Sequence, residues 1–150
     1  MMMINYRLAK KKDFESVLAL ENECFKEPYS REELEYEFNE NPVNKIIVAE
    51  HDGRIVGFID YLITFNSATI MQVAVTKNYR SIGIGTQLLR EMENSFPEEV
   101  EDMVETITLE VRVSNKAAID MYIKDGYKIV VVKSHYYKDG ENAIYMVKRL

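Results

Sequence analysis

The segment of residues 73–86 constrains the fold most, because a predicted strand there runs into a loop with two glycines that opens a helix. Gly83 and Gly85 let the backbone approach a ligand closely and leave amide N–H groups free. The first turn of the helix adds unpaired amide donors and the positive end of a dipole. The segment therefore predicts an anion site suited to a diphosphate.

Two other phosphate-binding loops contain similarly spaced glycines, and this sequence fits neither of them. No lysine follows Gly85, as the Walker motif G-x-x-x-x-G-K-[ST] requires. Leu88 stands where the dinucleotide fingerprint G-x-G-x-x-G needs its third glycine. The three consecutive hairpin-linked strands before the loop also differ from the fold that carries the dinucleotide fingerprint. From the loop alone, a turn without a ligand stays open as an alternative.

Periodic patterns along the rest of the chain predict a mixed sheet with helices on its faces. The predicted strands span 4–8, 45–50, 54–65, 68–76, 106–113, 127–133 and 143–149. The predicted helices cover 14–25, a segment starting at the capping box Ser30-x-x-Glu33, 84–96 and 115–124. The order β-α-α-β-β-β-α-β-α-β-β indicates an α+β or α/β fold, which we expect to form a single domain over residues 1–150.

Length and charge narrow the class of protein. A chain of 150 residues has the size of one domain. Its net charge of −6 disfavours nucleic acid as the main partner. No apolar run approaches the roughly 20 residues that cross a bilayer, and the N-terminus lacks the order of a signal peptide. We expect a cytoplasmic protein with no membrane or nucleic-acid partner.

Cysteine and histidine are too sparse to indicate thiol or metal chemistry. Cys24 lies among apolar residues at helical spacing, which favours a packed thiol over a nucleophile. His51 and His135 stand far apart without ligand-like spacing, so we expect no metal site.

Two runs of residues resemble a known family. Residues 80–85 have the form R-x-x-G-x-G, the hallmark of the GCN5-related N-acetyltransferases (GNAT). The run from Leu109 to Asn115, with Tyr122 and Gly126 beyond it, resembles the LEVR-x-SN…A…LY…GF pattern of the RimI type, the ribosomal-protein alanine N-acetyltransferases. Residues 25–30 resemble their F-x-x-P-[WY]-S, and residues 135–137 their N-Y-Y. The resemblance covers nearly the whole chain and points to enzymes that modify protein N-termini.

The resemblance implies the GNAT fold, with a splayed central sheet, and acetyl-CoA as the cosubstrate. It implies that backbone groups of Val73, Ala74 and Val75 pair with the pantetheine arm. The diphosphate would rest on Arg80 and on the amides of Ser81, Ile82, Gly83, Ile84, Gly85 and Thr86. Asn115 matches an asparagine that contacts CoA. Many relatives carry glycine or a basic residue where this chain has Ser81 and Ile82, so CoA binding should lean on main-chain amides and Arg80.

Two residues match the catalytic pair of the family. Glu110 matches the candidate general base, because a carboxylate can accept the proton of an α-amine directly or through water. Its alternative role is a surface glutamate paired with Arg112 on the same strand face. Tyr122 matches the general acid, because a phenol can protonate a leaving thiolate. Its alternative role is a core tyrosine, since Ala118, Tyr122 and Gly126 repeat every four residues.

Aromatic residues from two predicted loops are the candidate acceptor site. They are Phe25, Pro28, Tyr29, Tyr136 and Tyr137. Their rings could wall the entrance, and their hydroxyls could bond peptide carbonyls. The sequence therefore favours the N-terminus of a protein or peptide as acceptor, with a ribosomal protein as one candidate, and a monomer or weak dimer. Acetylation of a small amine or lysine, and a CoA-binding regulator without turnover, stay open as alternatives.

Overall fold

The computed structural model describes residues 2–99 and 103–150. Within these residues, four α-helices and seven strands follow one another in the order predicted from the sequence, which is confirmed. The helices are α1 (Phe14–Cys24), α2 (Arg31–Asn39), α3 (Ile84–Asn94) and α4 (Lys116–Lys124). The strands are β1 (Asn5–Leu8), β2 (Asn44–His51), β3 (Arg54–Thr64), β4 (Ser67–Val75), β5 (Thr106–Arg112), β6 (Lys128–Lys133) and β7 (Ala143–Arg149).

The strands form a mixed sheet, as the element order predicts. Their order in the sheet is β1-β2-β3-β4-β5-β7-β6. The pairs β1–β2, β2–β3, β5–β7 and β6–β7 are antiparallel, whereas β4 and β5 run parallel. The parallel ladder joins Ser67–Ile70 of the nine-residue β4 to residues 106–109 of β5. The ladder covers four residue pairs.

The chain divides into two compact units. The first contains the described residues of Met1–Leu62 and Gln72–Phe96, and the second those of Ile63–Met71 and Pro97–Leu150. Strands β3 and β4 each contribute to both units. One domain over residues 1–150 stays a prediction.

The first unit is built around an apolar cluster beneath α1 and α2. Its buried members are Val17, Leu20, Leu34, Ile46, Val48, Ile55, Phe58 and Ala74. Helix α2 begins at the predicted capping box: the Glu33 amide donates to the Ser30 hydroxyl at 3.1 Å, and the Ser30 amide donates to the Glu33 carboxylate at 3.0 Å. These bonds end the loop between the two helices at a defined residue.

The second unit is organised by the alternation of β5. Ile107, Leu109 and Val111 are buried on one face, as their spacing predicts, so Glu110 lies on the other. Strand β6 is more exposed than its apolar sequence suggests. Ile129 and Val131 are about half exposed, because β6 is an edge strand of the sheet. Apolar sequence alone predicted the strand but not its exposure.

Two further sequence expectations concern the chain's surface. Glu98 and Glu99, in the acidic run predicted as a solvated loop, are exposed, and the rest of that run lies outside the described residues. Across the part of the chain that the structure describes, no helix combines the length and apolarity needed to span a bilayer.

Candidate active site

The glycine loop meets the geometric demands of an anion site. Ser81 and Gly83 adopt left-handed backbone angles, with φ of 65° and 93°, and Gly83 caps the N-terminus of α3. Ile84 anchors the first turn because it is buried, whereas the side chain of Ile82 is 57% exposed. The first amides of this 11-residue helix, including those of Gly85 and Thr86, lack intrahelical acceptors. The loop can therefore present main-chain donors to a diphosphate.

The strand before the loop ends with three residues of differing burial. Ala74 is buried, and Val73 and Val75 are half-buried. Gly57 of β3 lies against them, since an added Cβ there would come within 2.7 Å of the Ala74 carbonyl oxygen. The strand end therefore depends on a glycine that the sequence analysis did not identify as part of the site.

Arg80 contacts the strand end and helix α1. Its Nε donates to the Val75 carbonyl at 2.8 Å, and its Nη2 lies 3.6 Å from the Cys24 sulfur and 3.8 Å from the Glu23 carboxylate. Glu23 also accepts from the Thr76 hydroxyl at 2.8 Å. Hydrogen bonding by Thr76 lowers the pKa of Glu23, so this acid is ionised beside Arg80. These contacts orient the guanidinium at the base of the loop, where it is half exposed.

Cys24 is half-buried, as its apolar neighbours predict. Its sulfur lies 3.7 Å from the Val75 carbonyl oxygen. Burial raises the pKa of the thiol, which favours the packed thiol over the nucleophile.

In the second unit, Glu110 is bonded to a lysine. Lys133 of β6 donates through Nζ to Glu110 Oε1 at 2.7 Å, and its Nζ lies 4.7 Å from the ring centre of Tyr145 and 5.5 Å from that of Tyr136. The bond to Glu110 raises the pKa of Lys133, which therefore remains charged. The candidate base is held by a cation that lies between two aromatic rings.

Arg112, the alternative partner of Glu110, has partners of its own. It donates to Asp139 at 2.9 Å and to Glu141 at 2.8 Å. Its guanidinium carbon lies 4.0 Å from the ring centre of Tyr137. Arg112 therefore fixes the loop between β6 and β7, and Lys133 bonds Glu110.

Tyr122 is buried in α4, with 5% of its surface exposed. Its ring meets Tyr127 edge to face, with 5.4 Å between centroids. Burial raises its pKa, and Tyr137 adds to the rise, so the phenol is protonated at neutral pH. Its packing fits the core alternative, while a protonated phenol is also what a general acid requires.

Asn115 caps helix α4. Its side-chain oxygen accepts from the Ala118 amide at 3.3 Å, and the residue is exposed. The predicted helix started at this residue, whereas the observed helix starts at Lys116, because a capping residue lies outside the helical backbone. Its role toward CoA stays a prediction.

The candidate acceptor residues fall into two groups. Phe25, Pro28 and Tyr29 are half-buried in the α1–α2 loop of the first unit. Tyr136 and Tyr137 lie in the second unit, where their rings meet edge to face at 5.0 Å. Tyr136 is half exposed, so its ring is accessible to a ligand.

Each unit thus gathers part of the predicted set. The first holds the residues expected to bind the cofactor before α3 and the loop with Phe25, and the second holds Glu110, Asn115, Tyr122 and the tyrosine pair. Sequence reasoning missed Lys133 and Glu23, because each meets its partner across a long stretch of chain. The sequence around each of these charged residues does not indicate which distant residue it contacts.

Known proteins match this chain over most of its length. The family model described as the acetyltransferase (GNAT) family matches this sequence over residues 14–127, which include the glycine loop, Glu110 and Tyr122. An uncharacterized N-acetyltransferase of Methanocaldococcus jannaschii is 39% identical over 138 residues, 92% of this chain and 86% of that protein. A putative [ribosomal protein bS18]-alanine N-acetyltransferase of Bacillus subtilis is 31% identical over 135 residues, 89% of this chain and 87% of that protein.

A solved structure shares the fold. The ribosomal-protein-S18-alanine N-acetyltransferase from Escherichia coli aligns with a TM-score of 0.83 and 25% identity, covering 98% of this chain and 94% of its own. This likeness confirms the fold that the sequence resemblance implied. With the family match spanning both the R-x-x-G-x-G loop and the LEVR-x-SN run, the chain belongs to the acetyltransferase (GNAT) family.

Proposed function

We propose that this protein transfers the acetyl group of acetyl-CoA to the N-terminal α-amine of a protein or peptide. The observation that carries the proposal is the 31% identity over 135 residues to the putative [ribosomal protein bS18]-alanine N-acetyltransferase of Bacillus subtilis. The LEVR-x-SN run and the double tyrosine, which resemble the same type of enzyme, support it. A ribosomal protein is a candidate acceptor for the same reason, and such an acceptor agrees with the cytoplasmic location expected from the sequence.

The glycine loop fits the cosubstrate chemically. A diphosphate needs several converging donors, and the amides of Gly83, Ile84 and Gly85 at a helix N-terminus supply them beside a cationic Arg80. Exposed Ile82 and Ser81 offer main-chain donors rather than side-chain charge. Acetyl-CoA supplies an activated acetyl group through its thioester.

The proposed reaction is a direct transfer between two proton-handling groups. The lone pair of the neutral α-amine forms the C–N bond to the acetyl carbon, and Glu110 takes the proton that the nitrogen then loses, directly or through water, and later releases it to solvent. A main-chain N–H near Val73 stabilises the developing oxyanion. The C–S bond then breaks, and Tyr122 gives its proton to the thiolate and regains one from solvent.

The ion pair of Glu110 with Lys133 orients the proposed base. Lys133 Nζ donates to Glu110 Oε1 at 2.7 Å and so holds the carboxylate in one orientation. The positive charge of Lys133 disfavours an ammonium nearby, so it favours the neutral, nucleophilic amine. Lys133 therefore belongs to the proposed mechanism as a positioning residue.

A two-stage experiment tests the proposal. Purified protein is first titrated with acetyl-CoA by calorimetry, and is then incubated with acetyl-CoA and a library of peptides that differ in their first residues. We expect heat of binding and a mass shift on peptides with a free N-terminus. N-terminally blocked lysine peptides and small amines form the control panel. Preferential acetylation of that panel would favour the alternative acceptors, and binding without turnover would favour the regulator.

A further inference from the structure

Helix α1 buries a carboxylate that has no cationic partner among the described residues. Glu21 is 0% exposed. Its Oε1 accepts two hydrogen bonds, from the Tyr29 backbone amide at 3.0 Å and from the Gln72 side-chain amide at 3.0 Å. Its Oε2 has no hydrogen-bond partner in the described chain. A buried acid is costly to a fold, so both bonds it makes must contribute to holding it there.

A second buried acid lies close to it. Asp60 of β3 is 1% exposed, and neither of its carboxyl oxygens receives a hydrogen bond of ordinary geometry from the described residues. Burial raises the pKa of Asp60 to about 8, with Glu37 and Glu21 adding to the rise and Asn44 opposing it. Burial also raises the pKa of Glu21, and the amides of Tyr29 and Gln72 oppose that rise. The two donors thus stabilise the ionised form of Glu21 against its surroundings.

The two donors belong to the two segments that the proposed reaction must align. Tyr29 lies in the α1–α2 loop with Phe25 and Pro28, the candidate acceptor residues. Gln72 lies on β4 directly before Val73, where the candidate cofactor strand begins. One oxygen atom of Glu21 therefore joins the acceptor loop to the cofactor strand.

Glu23, two residues further along α1, makes a separate set of contacts. It accepts from the Thr76 hydroxyl at 2.8 Å and the Lys77 amide at 3.0 Å, and lies 3.8 Å from Arg80. All three partners follow β4 at the entry to the glycine loop. Glu23 is thus a neighbour of Glu21 that bonds the cofactor side alone, which makes it a matched control.

We propose that Glu21 is a positioning residue that fixes the acceptor loop relative to the cofactor strand and thereby sets the affinity for the peptide. This inference rests on the proposed function, because it assigns the acceptor to the loop that contains Tyr29. Glu21 acts through the Tyr29 backbone, and need not contact either substrate. A residue that served only the stability of the fold would affect both substrates alike.

The first test measures the hydrogen bond between the Tyr29 amide and Glu21 without any turnover. Amide hydrogen exchange at Tyr29 is followed by NMR in the wild type, E21A and E21Q. Losing one hydrogen bond to a carboxylate should speed Tyr29 exchange about tenfold in E21A. E21Q keeps an oxygen acceptor and should restore slow exchange. Unchanged exchange in E21A would show that Glu21 does not hold the Tyr29 backbone.

Should E21A fail to fold, Q72A provides a second variant, because it removes the hydrogen bond between Glu21 and β4. Q72A should raise peptide KM while the Tyr29 amide stays protected from exchange. An unchanged peptide KM in Q72A would overturn the inference.

The second test separates peptide from cofactor. Steady-state kinetics are measured for the wild type, E21A, E21Q and E23A with varied peptide and varied acetyl-CoA. We expect E21A to raise peptide KM about tenfold with kcat and acetyl-CoA KM nearly unchanged, E21Q to rescue it, and E23A to affect acetyl-CoA KM instead. An inactive wild type would refute the proposed function and with it the acceptor role. An active wild type with equal losses in every parameter of E21A would refute the positioning role alone.

Discussion

At the scale of single residues, Glu110, the proposed base, is held in place by a lysine. Lys133 bonds one of its oxygens at 2.7 Å and is itself placed over the rings of Tyr136 and Tyr145. The sequence predicted the position of Glu110 from a motif. It did not predict Lys133, because that contact depends on β7 lying between β5 and β6, an arrangement that no local pattern specifies.

Replacement of Glu110, the proposed base, tests its role directly. We expect E110Q to lower kcat/KM about 100-fold or more while acetyl-CoA binding is retained, because the amide cannot accept the proton. Kinetics at saturating acetyl-CoA, with calorimetry for binding, measure both quantities. E32Q, on the exposed face of α2, is the matched control and should behave as wild type. A rate for E110Q within twofold of wild type would remove Glu110 from the mechanism.

Replacement of Tyr122, the proposed acid, distinguishes a catalytic role from a packing role. We expect Y122F to lower kcat about 100-fold or more with little change in thermal stability, because phenylalanine keeps the ring contact with Tyr127 and loses the proton. Rate measurements and thermal unfolding decide between the two roles. Y36F changes a half-exposed tyrosine and serves as the control. Reduced stability with an unchanged rate would establish the core role instead.

Asp60 gives the stability of the protein a dependence on pH. Its folded pKa of about 8 exceeds the unfolded value of 3.8, so between these values the folded state binds more protons than the unfolded state. The free energy of unfolding should therefore fall as pH rises, by up to about 1.4 kcal/mol per pH unit from this group. Asparagine cannot ionise, so D60N should gain stability relative to wild type between pH 5 and pH 8.

Denaturant unfolding at several pH values measures this difference. The exposed aspartate of α4, changed in D120N, provides the control for the loss of one carboxylate at the surface. A constant offset for D60N across the range would contradict the account of a buried carboxyl.

At the scale of elements, the entry to α3 was the part best predicted from sequence. The two glycines predicted a strand–loop–helix unit, and the left-handed angle at Gly83 gives the physical reason for one of them. Ser81 also adopts a left-handed angle, which a non-glycine residue rarely does and which its side chain did not signal. The tie between α1 and β4 through Glu21 and Gln72 was missed, because a buried glutamate on an apolar stripe looks like an irregularity of the pattern.

Gly57 tests how closely β3 and β4 must pack. We expect G57A to reduce stability and to raise acetyl-CoA KM, because its Cβ would come within 2.7 Å of the Ala74 carbonyl and displace the cofactor strand. G53A is the matched control: its Cβ meets open space in the β2–β3 turn, so it carries only the strain of a φ of 77°. Thermal unfolding and kinetics should show the larger loss in G57A. Equal stability losses with an unchanged KM in both would contradict a role for this close packing.

At the scale of the whole molecule, the order of elements followed from hydrophobic periodicity and turn residues, and it was confirmed throughout the described chain. Long-range facts did not follow. The placement of β7 between β5 and β6, the half-exposed face of β6 and the buried acids all depend on which elements pack together. A single sequence does not indicate which elements pack together, so it cannot specify these long-range features. The candidate site was therefore predictable as a set of residues, but not as a set of contacts.

The proposed function of this member of the GNAT family is the acetylation of α-amines. The most direct measurement uses one peptide that carries both a free N-terminus and an internal lysine, incubated with the protein and acetyl-CoA. Tandem mass spectrometry then locates the added acetyl group. We expect acetylation at the N-terminal amine and its loss in E110Q. Acetylation at the lysine, with the N-terminus left free, would contradict it.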